Sequence, residues 1–144
     1  MENLIYFTTA WLDPYLMLLT AIGTFAGIYV GAIPGLSVTM TVSILISFTF
    51  KWDVNDALAL IAGIYVGGVY GGGRTAILLN IPGAPSAIAT AFDGYPLAKK
   101  GLAGEAIGLT TVMSFIGGMV GVLTLAIAAP IISDFAIKFT SREY

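Results

Sequence analysis

The sequence predicts an all-α integral membrane protein: a polytopic helical bundle with discontinuous or re-entrant helices at two Pro-Gly breaks. Three observations predict it. Of 144 residues, 58% are hydrophobic and 10% charged, with a mean hydropathy of +0.94. A soluble domain carries about 25% charged residues and needs them to cover its surface. The charges gather at Lys51, Asp53 and Asp56, at Asp93, Lys99, Lys100 and Glu105, and near both ends. The stretches between them leave room for about four or five membrane segments of roughly 20 residues. Finally, Ile33-Pro34-Gly35-Leu36-Ser37 and Asn80-Ile81-Pro82-Gly83-Ala84-Pro85-Ser86 interrupt apolar runs. Inside a bilayer the backbone groups freed by such a break must face protein, water or a ligand, and broken helices of this kind mark transporter binding sites.

Each element follows in order. From Pro14 to about Ile33 runs an apolar stretch of single-span length, opened by a proline that suits the first helical position. Its second half carries Gly23, Gly27, Gly31 and Gly35 at intervals of four, a stripe on one face that lets another helix come close in lipid. Pro34-Gly35 should end this helix. Leu36 to Phe50 is apolar but rich in hydroxyls, with Ser37, Thr39, Thr41, Ser43, Ser47 and Thr49. At about 15 residues it is short for a straight span, and a half-helix starting at Ser37 fits better. Lys51 to Asp56 is a polar turn with an interfacial tryptophan, where Asp53 or Asn55 could cap the next helix.

Ala57 to Tyr70 is a third apolar piece, again shorter than a span, in which Gly63, Gly67 and Gly71 repeat the spacing of four. It runs into Gly71-Gly72-Gly73-Arg74, then through Thr75 to Leu79 into the second break. Asp93-Gly94-Tyr95-Pro96 reads as a turn, and Leu97 to Glu105 as a polar stretch. Ala106 to Ala129 is the clearest full span, with Gly117, Gly118 and Gly121 inside it and Pro130 closing it. Ile131 to Tyr144 mixes charged and aromatic residues and reads as interfacial. Ala26-Gly27-Ile28-Tyr29-Val30-Gly31 recurs as Ala62-Gly63-Ile64-Tyr65-Val66-Gly67, through either duplication or a shared packing need. Lys99 and Lys100 favour a cytoplasmic loop, and the N-terminus the outer side.

The absence of cysteine and histidine removes disulfides, the Ser-His-Asp and Cys-His arrangements and the usual zinc sites. No enzyme, no catalytic residue and no metal site is expected, and the net charge of −2 argues against a nucleic-acid partner. Chemistry concentrates at the breaks. Around Pro34 and Gly35, Ser37 can start a half-helix whose N–H groups meet a carboxylate, with Ser37 and Thr39 hydroxyls adding donors or oxygens for Na⁺. The alternative is a proline kink whose hydroxyls bond their own backbone. In the second break, Asn80 offers donor and acceptor, Pro82, Gly83 and Pro85 open the backbone, and Ser86 stands at the start of a new half-helix. The alternative there is a plain loop. Arg74 could pair with an anionic substrate or snorkel to the interface. Asp93 could carry a coupling ion or proton, or serve only the turn.

Pro34-Gly35-Leu36-Ser37, Ala76 to Gly83, Asp93 to Lys99, Gly101-Leu102-Ala103-Gly104 and Ser114 to Gly118 together resemble the large membrane subunit of the tripartite tricarboxylate transporters, the TctA family. The likeness covers essentially the whole chain after about residue 15. It implies a multi-pass protein of the bacterial cytoplasmic (inner) membrane, built from two inverted halves. It implies secondary uptake of citrate and other organic acids by symport, driven by Na⁺ or H⁺, with no cofactor beyond the coupling ion. The implied partners are an extracytoplasmic solute-binding protein and a small four-helix membrane subunit. The two breaks, Pro34 to Ser37 and Asn80 to Ser86, are where the resemblance places substrate or ion contacts. Many relatives have a small hydroxyl residue where this chain has Gly73. The chain also corresponds to roughly the first third of a family member, so it is expected to be the N-terminal part of a larger transporter, and the remaining part an additional partner. The competing expectation is a non-transporting assembly piece whose glycine faces, at Gly23, Gly27, Gly31, Gly63 and Gly67, bind other membrane helices.

Overall fold

The computed structural model describes residues 12–138, and every described element is helical. Helix α1 spans Pro14–Ala32, α2 Val38–Thr49, α3 Val54–Leu79, α4 Ile88–Lys99 and α5 Ala103–Lys138, with a single 3₁₀ turn at Pro85–Ala87 before α4. Among the described residues, three stretches are long and apolar enough to cross a membrane: Pro14–Ala32, Val54–Leu79 and Ala103–Ala129. The protein is an all-α, multi-pass membrane protein. Its chain falls into two compact units, Met1–Gly108 and Leu109–Tyr144.

Local chemistry sets the helix starts. The Asp13 carboxylate accepts the Tyr15 N–H at 2.9 Å ahead of α1, and Asp53 does the same for Asn55 at 2.9 Å ahead of α3. Both satisfy a donor that the first turn leaves open. Helix α2, with 12 residues, rises about 18 Å and falls short of a bilayer core of roughly 30 Å.

Three expectations are corrected. Gly71-Gly72-Gly73 does not interrupt the third piece: α3 runs unbroken for 26 residues, because its backbone bonds persist and Gly71 and Gly72 are spent on close packing. Asp93-Gly94-Tyr95-Pro96 is not a turn but part of α4. Gly94 is needed there, since a Cβ would collide with the Ile77 side chain. The chain turns later, at Gly101, whose φ is 83°. Leu102 N–H bonds to Leu97 O and Gly101 N–H to Ala98 O, each at 3.0 Å, the paired closure that glycine allows at a helix C-terminus. Pro130 does not end the last helix, which continues to Lys138. A proline there costs one helical hydrogen bond, a loss that membrane helices tolerate. Of the proposed interfacial tail, residues 139–144 lie outside the described residues.

The first unit is organised by a glycine seam between α1 and α3. Gly23, Gly27 and Gly31 face the carbonyl oxygens of Leu60, Ile64 and Gly68, while Gly63, Gly67 and Gly71 face those of Thr20, Thr24 and Ile28. A Cβ on any of the six would fall within 2.5 Å of the opposing oxygen. What stands there instead is a Cα hydrogen, directed at the carbonyl, in a weak contact of about 0.5–1 kcal/mol. Position numbers rise together on both sides, so the two helices run parallel. Adding 40 to each α1 position gives its α3 counterpart: Gly23 and Gly63, Gly27 and Gly67, Gly31 and Gly71. The recurring Ala-Gly-Ile-Tyr-Val-Gly hexapeptide is offset by 36, one helical turn out of this register. Gly35 is not part of the seam; it lies beyond the end of α1 with nothing within 4 Å of its Cβ position.

Large apolar side chains of the first unit face outward. Phe25 is 64% exposed and Phe92 75%, the surface a bilayer or further membrane helices would cover. In the second unit, Phe115, Leu123 and Ile127 of α5 are likewise exposed.

Candidate functional site

The first break is a tight reversal. Ile33 closes α1 with its N–H on Val30 O at 3.1 Å, and Leu36 N–H returns to Ile33 O at 3.2 Å. With Pro34 at the second position and Gly35 at the third with φ 91°, this is the arrangement of a type II turn. Pro34 and Gly35 are exposed. Ser37 then occupies the N-cap of α2 in extended conformation, but its side chain makes no cap bond. Its Oγ lies 2.5 Å from Thr39 Oγ1. Three further hydroxyls of α2 go back to the helix: Thr41 donates to Ser37 O, Ser43 to Thr39 O and Thr49 to Leu45 O. The two hydroxyls nearest the break are thus paired with each other while those of Thr41, Ser43 and Thr49 bond their own backbone.

The second break opens at Asn80, which caps α3 in the left-handed conformation with φ 58°. Asparagine is among the few residues with a Cβ that adopt it readily. Residues 81–84 then fold back along α3. Gly83 N–H donates to Gly72 O at 3.4 Å, and a Cβ on Gly83 would strike Gly31 O and Gly72 Cα. Ala84 is buried, and Pro85 opens the 3₁₀ turn that leads into α4. By Gly94 the chain has moved on to the level of Ile77, so it again advances in the direction of α3. Pro85 and Ser86 stay exposed and Pro82 is half-buried.

The two breaks meet at one level of α3. Val38, the first residue of α2, is buried against Gly68, and Gly83 and Ala84 lie against Gly72, one turn further on. Gly31 joins them, touching Gly68 on one side and Gly83 on the other. Gly31, Gly68, Gly72 and Gly83 therefore hold the end of α1, the start of α2 and the fold-back at Gly83 and Ala84 to the same short stretch of helix. Sequence reasoning missed Gly68, Gly72 and Thr75, whose buried hydroxyl donates to Gly72 O at 3.0 Å. A Gly-Gly pair repeating at intervals of four, Gly67-Gly68 and Gly71-Gly72, was the available signal, because one face of glycines serves α1 and the adjacent one serves the breaks.

Arg74 follows Gly72 by two residues and Gly67 by seven, which puts it on the α1-facing side of α3. It is half-buried, and its guanidinium folds onto Tyr70. Asp93 is exposed on α4, next to the buried Gly94, and among the described residues no hydrogen bond or ion pair joins it to the breaks. Among the described residues no cluster of three or more acids could hold a metal ion.

Comparison with known proteins follows the same lines. Residues 17–144 match the model of the tripartite tricarboxylate transporter TctA family. An Agrobacterium vitis protein described as an uncharacterized 52.8 kDa protein in the TAR-I ttuC' 3' region is 43% identical over 138 residues, which cover 96% of this chain. The chain spans 27% of that relative's length. No solved structure matches.

Proposed function

The chain belongs to the tripartite tricarboxylate transporter TctA family, and on that premise we propose that it forms part of the membrane pathway of a carboxylate uptake system. The single observation that carries this reading is the convergence of the two Ile-Pro-Gly breaks on Gly68 and Gly72. Broken helices gather unsatisfied N–H and C=O groups in the apolar interior, where they exchange water for an anion and its coupling ion. At the first break, the uncapped start of α2 offers N–H groups to a carboxylate, and Ser37 and Thr39 offer hydroxyl oxygens. At the second, Gly83 lies at that level against Gly72, and Asn80, Pro82, Pro85 and Ser86 flank it with backbone and side-chain groups. In this reading α2 and α4 are re-entrant half-helices. Asp13 and Asp53 mark the outer side, and Lys99 and Lys100 the cytoplasmic side, of a bacterial cytoplasmic membrane.

Citrate and related organic acids are the proposed substrates, taken up by symport with Na⁺ or H⁺. An extracytoplasmic solute-binding protein delivers them, a small four-helix membrane subunit accompanies the transporter, and the remainder of the large subunit supplies the inverted second half. The competing assembly-piece reading loses its main support, because the glycine faces it requires for outside helices are occupied by α1 and α3 themselves. The test is uptake of labelled citrate, malate and succinate by the complete transporter in proteoliposomes with its binding protein. Accumulation under an imposed Na⁺ or pH gradient, and none without it, is expected. Absence of uptake under either gradient overturns the reading.

A further inference from the structure

We propose that Arg74 is the residue that recognises a substrate carboxylate, with Tyr70 as the residue that positions it. The proposal rests on the carboxylate-transport reading above and adds the group that reads the charge. Arg74 is the one charged residue between Asp56 and Asp93, within a helix long and apolar enough to cross the membrane. It lies five residues before the end of α3 at Leu79. An arginine that only avoids lipid extends toward the nearer interface, where its head reaches water. This side chain turns the other way. Its guanidinium carbon sits 4.2 Å from the centre of the Tyr70 ring, one turn toward the helix N-terminus, and Nη2 donates to the Tyr70 hydroxyl.

Ring and hydroxyl together fix the plane of the guanidinium. Nε is buried and has no hydrogen-bond partner among the described residues. An unpaired buried N–H on a cation is costly, so the site is incomplete until an acceptor arrives. The stretch from Ala57 to Phe92 contains no acid to supply one. The guanidinium edge formed by Nε and a neighbouring Nη suits a carboxylate, which takes two parallel N–H···O bonds in one plane. Seven residues past Gly67, Arg74 lies on the α1-facing side of α3, and the offset of 40 between the two helices sets it level with Pro34 of the first break. A carboxylate arriving at the first break supplies the acceptor that Arg74 Nε lacks.

The test is a comparison of each acid with its own monoamide, which removes one negative charge at nearly constant shape. Competition for uptake by citrate, malate and succinate, each beside its monoamide, is measured in the complete transporter. The wild type is expected to prefer the intact acid by about tenfold, the worth of one charge-assisted hydrogen bond. Arg74→Gln is expected to reduce that preference to about twofold or less. Arg74→Lys, which keeps the charge but not the fork, should fall between. Tyr70→Phe should lower the preference when Arg74 is present and add nothing to Arg74→Gln, the signature of two residues acting as one. A preference unchanged in Arg74→Gln overturns the assignment. If that variant does not assemble, an unchanged preference in both Arg74→Lys and Tyr70→Phe overturns it equally. A wild type that transports none of the acids overturns the transport reading itself, and this proposal with it.

Discussion

Asn80 carries two separable duties. Its backbone, at φ 58°, ends α3, and its amide is a candidate ligand group. Asn80→Gly keeps the first and removes the second, while Asn80→Ala removes the amide and strains the turn by about 1–2 kcal/mol. Both variants should lose uptake, and only Asn80→Ala should lower the thermal midpoint in detergent; normal uptake by Asn80→Gly would leave the residue a cap alone. Glycines divide in the same way. Gly31→Ala drives a methyl group into the Gly68 carbonyl and should destabilise by about 1–3 kcal/mol. Gly117→Ala meets nothing within 4 Å and should be neutral or stabilising by up to about 1 kcal/mol through better helix propensity. Unfolding by denaturant in micelles measures both. The glycine spacing was readable in the sequence, but which glycines are closely opposed was not, since that depends on the parallel course of α1 and α3.

At the scale of elements, the parallel seam fixes sidedness. Helices α1 and α3 start at Asp13 and Asp53, so both starts lie at one end of the pair, with α2 and its flanking turns returning the chain. The chain contains no cysteine, which allows single cysteines to be placed at Leu12, Trp52 and Lys100, all exposed. A membrane-impermeant thiol reagent should label Leu12→Cys and Trp52→Cys from the same side and Lys100→Cys from the other. Labelling of Leu12→Cys and Trp52→Cys from opposite sides would contradict the parallel packing. Helix starts were legible where aspartate caps a polar turn, and the short length of α2 was legible from its flanking breaks. Gly71 to Gly73 and Asp93 to Pro96 were misread because glycine and proline mark turns in the average protein. Here Gly71, Gly72 and Gly94 make room for a neighbouring backbone or side chain within an intact helix.

At the scale of the molecule, the all-α membrane class follows directly from a chain with 10% charged residues, and the helices agree with it. The residues of both breaks were also visible in the sequence, as Ile-Pro-Gly twice. Their meeting was not, because 48 positions separate Pro34 from Pro82 and it is the packing of Val38 onto Gly68 and of Gly83 onto Gly72 and Gly31 that joins them. The central claim is that these two distant segments form one site. The most direct measurement is substrate protection of single cysteines in the complete transporter. Ser37→Cys reports the first break, Ser86→Cys the second, and Ser47→Cys, exposed near the far end of α2, serves as the control. A transported carboxylate with its coupling ion should slow maleimide labelling at both Ser37→Cys and Ser86→Cys and leave Ser47→Cys unchanged. Protection at one break alone, or at neither, would contradict a shared site.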